Sequence, residues 1–303
     1  MRPSGAIIGA PMRRLKNWQL FAICVLTWGT TWYAITFQVG LVPPEVGVAL
    51  RFALAGAVVL AACVARGERL RFGLDEHLRL ALQGSFLYGV SYLCVYHAER
   101  HVVSGLVAVG YSASPLVTGL GAHWLFGVRT SGRFLLGGVL GLAGIAMLFW
   151  PEFGPAGGTR DTALGALFTI AAVLLSAVGS LVASRNRSHG LPFWPALGYG
   201  MLYGAAVAAL VALVQGQGFT PPASGAWWLS LLYLALAGSV LTFACFLTLQ
   251  ERIGPGPAGT IGVMTPLLAL LVSMAFEGFR PQALTLAGAA LAVTGNVLML
   301  RRA

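Results

Sequence analysis

The sequence predicts an all-α integral membrane protein, with ten membrane-spanning helices arranged as two inverted five-helix repeats around a central cavity. Three observations carry this. Charged residues make up only 9% of the 303 residues, and the mean hydropathy is +0.81. A soluble domain carries about 25% charged residues, so this chain cannot cover a water-facing surface. Apolar runs recur along the whole chain at about 20 residues each, the length of a helix that crosses a bilayer. Finally, marks in the first half of the chain return 151 residues later.

The spans follow in order. The first, 17–37, lies behind Arg13, Arg14 and Lys16. It is longer than the 7–15-residue core of a signal peptide and lacks a small-residue cleavage site, so residues 1–16 read as a cytoplasmic tail. "VPPE" at 42–45 turns the chain into the second span, 45–65. The third, fourth and fifth cover 78–96, 103–126 and 134–150. "WPEFGPAGGTRD" at 150–161 then separates a first repeat, 17–150, from a second, 162–300. The sixth span is 162–184, and "HGLPFWP" at 189–195 opens the seventh, 193–214. "GFTPPASG" at 218–225 precedes the eighth, 226–249, and "GPGP" at 254–257 precedes the ninth, 257–277. The tenth covers 281–300. Proline and glycine clusters of this kind are turn chemistry. The 40 glycines suit close helix approach in lipid.

Charge tests the parsing. With the N-terminus inside, fifteen Lys and Arg fall in cytoplasmic segments and three, Arg100, Arg160 and Arg280, fall outside. That bias follows the positive-inside rule and supports an even span count with both termini cytoplasmic. The net charge of +10 is scattered singly through short loops, so no nucleic-acid partner is expected. Cys24, Cys63, Cys94 and Cys245 lie inside apolar runs without metal-like spacing. Neither a metal nor a cofactor is expected, and no nucleophile–base pair or paired carboxylates point to an enzyme.

At the 151-residue offset Pro44 meets Pro195, Gly47 meets Gly198 and Pro115 meets Pro266. Gly127 meets Gly278, Gly137 meets Gly288 and Gly144 meets Gly295. With one residue of slip, Glu99-Arg100 meets Glu251-Arg252. Five is odd, so the second half enters the membrane from the opposite side. Inverted repeats mark secondary transporters, with substrate held near the midplane between the halves. Pro115 and Pro266 then become matched mid-helix hinges, because proline removes a backbone hydrogen bond and kinks a helix.

"LTWGTTWYAI" in the first span, "RFALAG" at 51–56, and "SPLVTGL" and "TPLLALL" in the fourth and ninth resemble the drug/metabolite transporter superfamily. The likeness is to its ten-helix EamA-type exporters, and among these to the bacterial aromatic amino-acid exporters. The resemblance implies a basket of two five-helix repeats in the bacterial inner membrane. The cavity would be lined mainly by the first, third, fourth, sixth, eighth and ninth spans, with the fifth and tenth peripheral. It also supplies the direction, export.

Within such a cavity, Tyr88, Tyr92 and Tyr96 form one stripe of the third span. Mid-depth tyrosine hydroxyls need partners that lipid cannot supply, so Tyr88 and Tyr92 are assigned to the cavity. Trp28, Thr31 and Trp32 join them from the first span, Tyr111 and Ser112 from the fourth, and Ser176 and Ser180 from the sixth. Thr242 and Phe246 come from the eighth, and Met264 from the ninth, beside Thr265. For the serines and threonines, helix packing and substrate contact are equally good readings. The cavity would be aromatic, rich in hydroxyls and almost uncharged. No acidic residue falls at mid-membrane, which favours facilitated movement without tight ion coupling. Arg51 reads as snorkelling or structural, with holding a carboxylate as the alternative. His97, His101 and His123 read as loop or interface residues.

The leading expectation is alternating-access export of amino acids, aromatic and other neutral ones, by a functional monomer. The alternative is another small metabolite, or a phosphorylated sugar, which would need more fixed positive charge.

Overall fold

Described in the computed structural model are residues 14–153, 159–220, 222–253 and 258–300. Most of the expected N-terminal tail and the breaks at 154–158 and 254–257 lie outside the described residues. Helices dominate, as scarce charge and apolar runs require. We label them α1 (Asn17–Thr36), α2 (Pro44–Ala65), α5 (Gly132–Phe149), α6 (Thr159–Ser188), α7 (Phe193–Val214), α9 (Ile261–Phe276) and α10 (Ala283–Leu300). Three further helices are composite. α3 joins Leu74–Gly84, a π-helical stretch Ser85–Val90, and Ser91–Ala98. α4 joins Ser104–Tyr111 to Ser114–Phe126. α8 joins Gly225–Leu232, a π-helical stretch Tyr233–Leu241, and Thr242–Ile253.

Among the described residues, seven helices are long and apolar enough to cross a bilayer by length and composition: α2, α4, α5, α6, α7, α8 and α10. α9 is apolar but 16 residues long. α1 and α3 are diluted by the Thr, Trp, Tyr and Ser residues that give them a polar face. Leu135, Leu136, Val139 and Leu142 on α5 are exposed, as are Leu210, Leu213 and Val214 on α7 and Leu229, Leu232 and Leu236 on α8. Such surfaces suit hydrocarbon and not water.

The main packed pairs are α5–α10, α2–α7, α4–α9, α1–α9, α4–α6, α1–α8, α3–α6, α2–α8 and α3–α7. Small residues set the closest approaches. A Cβ added at Gly144 would lie 2.5 Å from the Gly288 carbonyl oxygen, and one at Gly137 would lie 2.5 Å from that of Gly295. α5 and α10 therefore touch backbone to backbone along their length. A Cβ added at Gly56 of α2 would lie 2.9 Å from the Gly198 oxygen on α7, and one at Gly29 of α1 would meet the Leu268 side chain on α9. The largest buried cluster gathers Phe52, Tyr88, Tyr96, Met201 and Leu234 from α2, α3, α7 and α8. A second cluster, with Leu106, Leu148, Leu270 and Ala289, joins α4, α5, α9 and α10.

The two prolines differ from the sequence expectation of equivalent mid-helix kinks. Pro115 stands in the first turn of the second segment of α4, after a break at residues 112–113. That is where proline is best tolerated, since an N–H there has no helical acceptor. Pro266 lies inside α9. It cannot donate to the carbonyl four residues back, which belongs to Gly262.

Candidate substrate cavity

α1, α2, α3, α4, α8 and α9 enclose a cavity of about 300 Å³. Pockets that hold small ligands begin at about this size. From α1 come Trp28, Thr31, Trp32 and Ile35, and from α3 come Tyr92 and Val95. α4 gives Ala108, Tyr111 and Ser112, and then Ser114 and Pro115 across its break. α9 gives Gly262, Thr265 and Pro266, α8 gives Phe243, and α2 gives Arg51. No Asp or Glu lines it.

Local structure explains most of these placements. The Trp28 Nε1–H donates to the Gly238 carbonyl at 3.0 Å, within the π-helical stretch of α8. Its ring meets Phe243 edge-on at 5.4 Å and Phe246 at 5.4 Å. Trp32 packs on Tyr111 at 5.5 Å, tying α1 to α4. Tyr92 meets Phe52 edge-on at 4.7 Å. The Thr31 hydroxyl donates to the Trp28 carbonyl at 2.7 Å, so its hydrogen is committed to its own helix. The Ser112 hydroxyl is buried and has no partner among the described residues.

A second cavity of about 350 Å³ lies among α3, α6, α7 and α8. Gln83, Tyr88, Ser180, Asn186, Arg187 and Phe246 contribute to its wall. The Asn186 amide donates to Gln83 Oε1 at 2.9 Å, across α6 and α3. Phe243 lines both cavities.

The residues named from sequence thus divide. Trp28, Thr31, Tyr92, Tyr111, Ser112, Pro115 and Pro266 line the first cavity, while Tyr88, Ser180 and Phe246 line the second. Thr242 and Met264 line neither. Thr242 is fully buried, and its hydroxyl donates to the Ala237 carbonyl at 2.7 Å, five residues back as π-helical winding requires. Met264 is 43% exposed. The cavity face of α9 is Gly262, Thr265 and Pro266, a helical i, i+3, i+4 spacing that skips Met264. Arg51 does not snorkel. It is 3% exposed and stays in the cavity wall. Trp32, expected from the first span, lines the first cavity as well, whereas Phe243 lines both without being singled out by the sequence.

The model of the EamA-like transporter family matches this chain twice, over residues 17–150 and 163–301. The chain belongs to the EamA-like transporter family. It is therefore a transporter of small molecules. Among relatives, this EamA protein is 31% identical over 261 residues to the "Uncharacterized inner membrane transporter YedA" of Escherichia coli strain K12. That match spans 86% of this chain and 82% of the relative. It is 28% identical over 277 residues to the "Aromatic amino acid exporter YddG" of Ancylobacter novellus, covering 90% of this chain and 92% of that one. A crystal structure with 23% sequence identity superposes with a TM-score of 0.67 over 92% of this chain and 94% of the other. At that identity the likeness speaks for the fold alone.

Proposed function

We propose that the protein is an alternating-access exporter of neutral amino acids, aromatic ones included, in a bacterial inner membrane. The observation that carries this reading is the first cavity. Its walls are aromatic and hydroxyl-bearing, it holds one cation and no carboxylate, and it is sized for one small solute. The names of two relatives, an inner membrane transporter and an aromatic amino acid exporter, point the same way.

In this proposal the chain crosses the membrane ten times, as two inverted repeats with both termini cytoplasmic. Exchanging α1–α5 with α6–α10 turns the list of main packed pairs into itself: α1–α9 becomes α6–α4, α1–α8 becomes α6–α3, and α2–α8 becomes α7–α3. The π-helical stretches fall in α3 and α8, which correspond. The left-handed glycines Gly127 and Gly278, both at φ 68°, stand at the ends of α4 and α9. These matches support a two-fold axis in the membrane plane. The two cavities, meeting at Phe243, are then the two access routes to one transport path.

The test is uptake of labelled amino acids into proteoliposomes, with and without unlabelled amino acid inside. Saturable uptake that internal substrate accelerates is the expected result, and a lack of uptake across the amino-acid panel would remove the reading. Tyr92→Ala takes an aromatic wall from the first cavity. It should raise KM by roughly fivefold or more, the equivalent of about 1 kcal/mol of aromatic contact. Pro266→Ala restores a backbone donor to α9 beside the cavity and stiffens it. The expected effect is a lower maximal rate with little change in equilibrium binding, read by comparing counterflow rates with ligand titration. An unchanged rate would leave Pro266 as a static shape element.

A further inference from the structure

Among the described residues, Arg51 is the only cation in the wall of the first cavity. At 3% exposure its side chain stays in the cavity wall and does not extend outward to a headgroup. Two rings hold it: its guanidinium carbon lies 4.9 Å from the Tyr92 ring centroid and 5.1 Å from that of Phe52. Aromatic faces attract the flat side of a guanidinium and leave its N–H edge free for hydrogen bonds. The Nε and Nη1 hydrogens of Arg51 have no partner among the described residues.

No protein carboxylate closes that edge. Glu99 is within electrostatic reach of Arg51, but the two form no ion pair, and both Glu99 carboxylate oxygens are themselves without a partner. Glu45 is turned to His97, at 3.0 Å. A buried charge with unsatisfied donors is among the most unfavourable arrangements a fold can carry, so an anion that enters the cavity gains what the protein does not supply. The Ser112 hydroxyl, the other orphan polar group on this wall, offers that anion a further donor.

We propose that Arg51 is the anchor for the carboxylate of the transported solute, with the Ser112 hydroxyl as an additional donor. The inference rests on the first cavity being the transport site. A guanidinium edge fits a planar carboxylate with two parallel bonds. A phosphate dianion would need more fixed positive charge, and this wall has none. The lining also lacks an Asp or Glu to pair with an ammonium group, so a solute's amino group meets only aromatic faces and hydroxyls. Recognition is therefore unequal: the carboxylate is required and the amino group is dispensable.

The test uses the purified full chain in detergent, with Trp28 and Trp32 in the cavity as fluorescence reporters. Binding of phenylalanine, phenylacetate and phenylalaninamide is titrated to the parent and to Arg51→Gln. The parent should bind phenylalanine and phenylacetate and hold phenylalaninamide roughly tenfold or more weakly. Arg51→Gln should weaken the two carboxylates to the level of the amide and leave the amide itself unchanged. Arg51→Lys keeps the charge without the fork, and should fall between them. It also replaces Arg51→Gln if that variant does not fold. Equal binding of all three ligands by the parent, or an equal loss of all three in the variant, overturns the anchor. The parent series alone is enough for the first of these. If the parent binds phenylacetate in an Arg51-dependent way but neither binds nor transports phenylalanine, the anchor stands and the amino-acid reading falls. If Arg51→Gln transports phenylalanine with the parent's KM, the amino-acid reading stands and the anchor falls.

Discussion

Phe243→Ala is expected to join the two cavities and convert a saturable carrier into a leak. The side chain stands in the wall of both and is braced edge-on by Trp28 at 5.4 Å. Trp28 is in turn fixed to α8 by its hydrogen bond to the Gly238 carbonyl, so the ring and its brace form one barrier. Cutting the ring back to a methyl group leaves a space that the remaining side chains fill only in part. Alternating access needs one route closed while the other is open, and a joined path removes that exclusivity. Proteoliposomes carrying the variant should lose trans-stimulation and release a trapped small solute faster than parent vesicles. Phe243→Leu keeps apolar bulk and should retain most of the counterflow. If Phe243→Ala exchanges substrate like the parent with no added leak, the barrier lies elsewhere.

Gly144→Leu should prevent a stable fold. The added Cβ alone would sit 2.5 Å from the Gly288 oxygen, and backbone atoms on α10 cannot rotate aside as a side chain could. The helices would have to separate, losing the close approach that small residues provide in lipid. Overpacking costs about 1–3 kcal/mol even where side chains can adjust, and here the obstacle is backbone. The readouts are the yield of monodisperse protein and its melting temperature. Gly132→Leu adds the same side chain to the same helix where a Cβ meets nothing within 4 Å, and it should behave like the parent. Equal yields and melting temperatures for both variants would show that the α5–α10 contact is not needed for folding.

Much of the architecture is legible in the sequence, because lipid imposes long apolar runs and turn chemistry must interrupt them. The cavity is legible only in outline. The tyrosine stripe identifies the inward face of α3, yet Tyr88 and Tyr92 line different cavities. Four residues are about 6 Å of helix rise, and a stripe gives a face without saying where a barrier from another helix will cross it. Of the pair beside Pro266, the register of α9 turns Thr265 inward and Met264 away from the cavity. Thr242 was misjudged because π-helical winding, invisible in the residue pattern, supplies a carbonyl for its hydroxyl. Arg51 defies the usual outward reach of a long basic side chain because Phe52 and Tyr92 hold the guanidinium between them.

The π-helical stretches also bear on how the halves diverged. α3 begins at Leu74 and α8 at Gly225, the same 151-residue offset that relates Pro115 to Pro266. Near the far ends of these helices, however, Glu99-Arg100 corresponds to Glu251-Arg252, one residue further on. Between matched ends, then, α8 carries one residue more than α3. Its π-helical stretch is the longer, nine residues against six, and i→i+5 bonding winds more residues into each turn than an α-helix does. A single-codon insertion here need not push the rest of the helix out of register, since the wider turn takes up the surplus. Where such an insertion settles, it bares a carbonyl like that of Gly238, and mutation has a new place to attach a side chain such as Trp28.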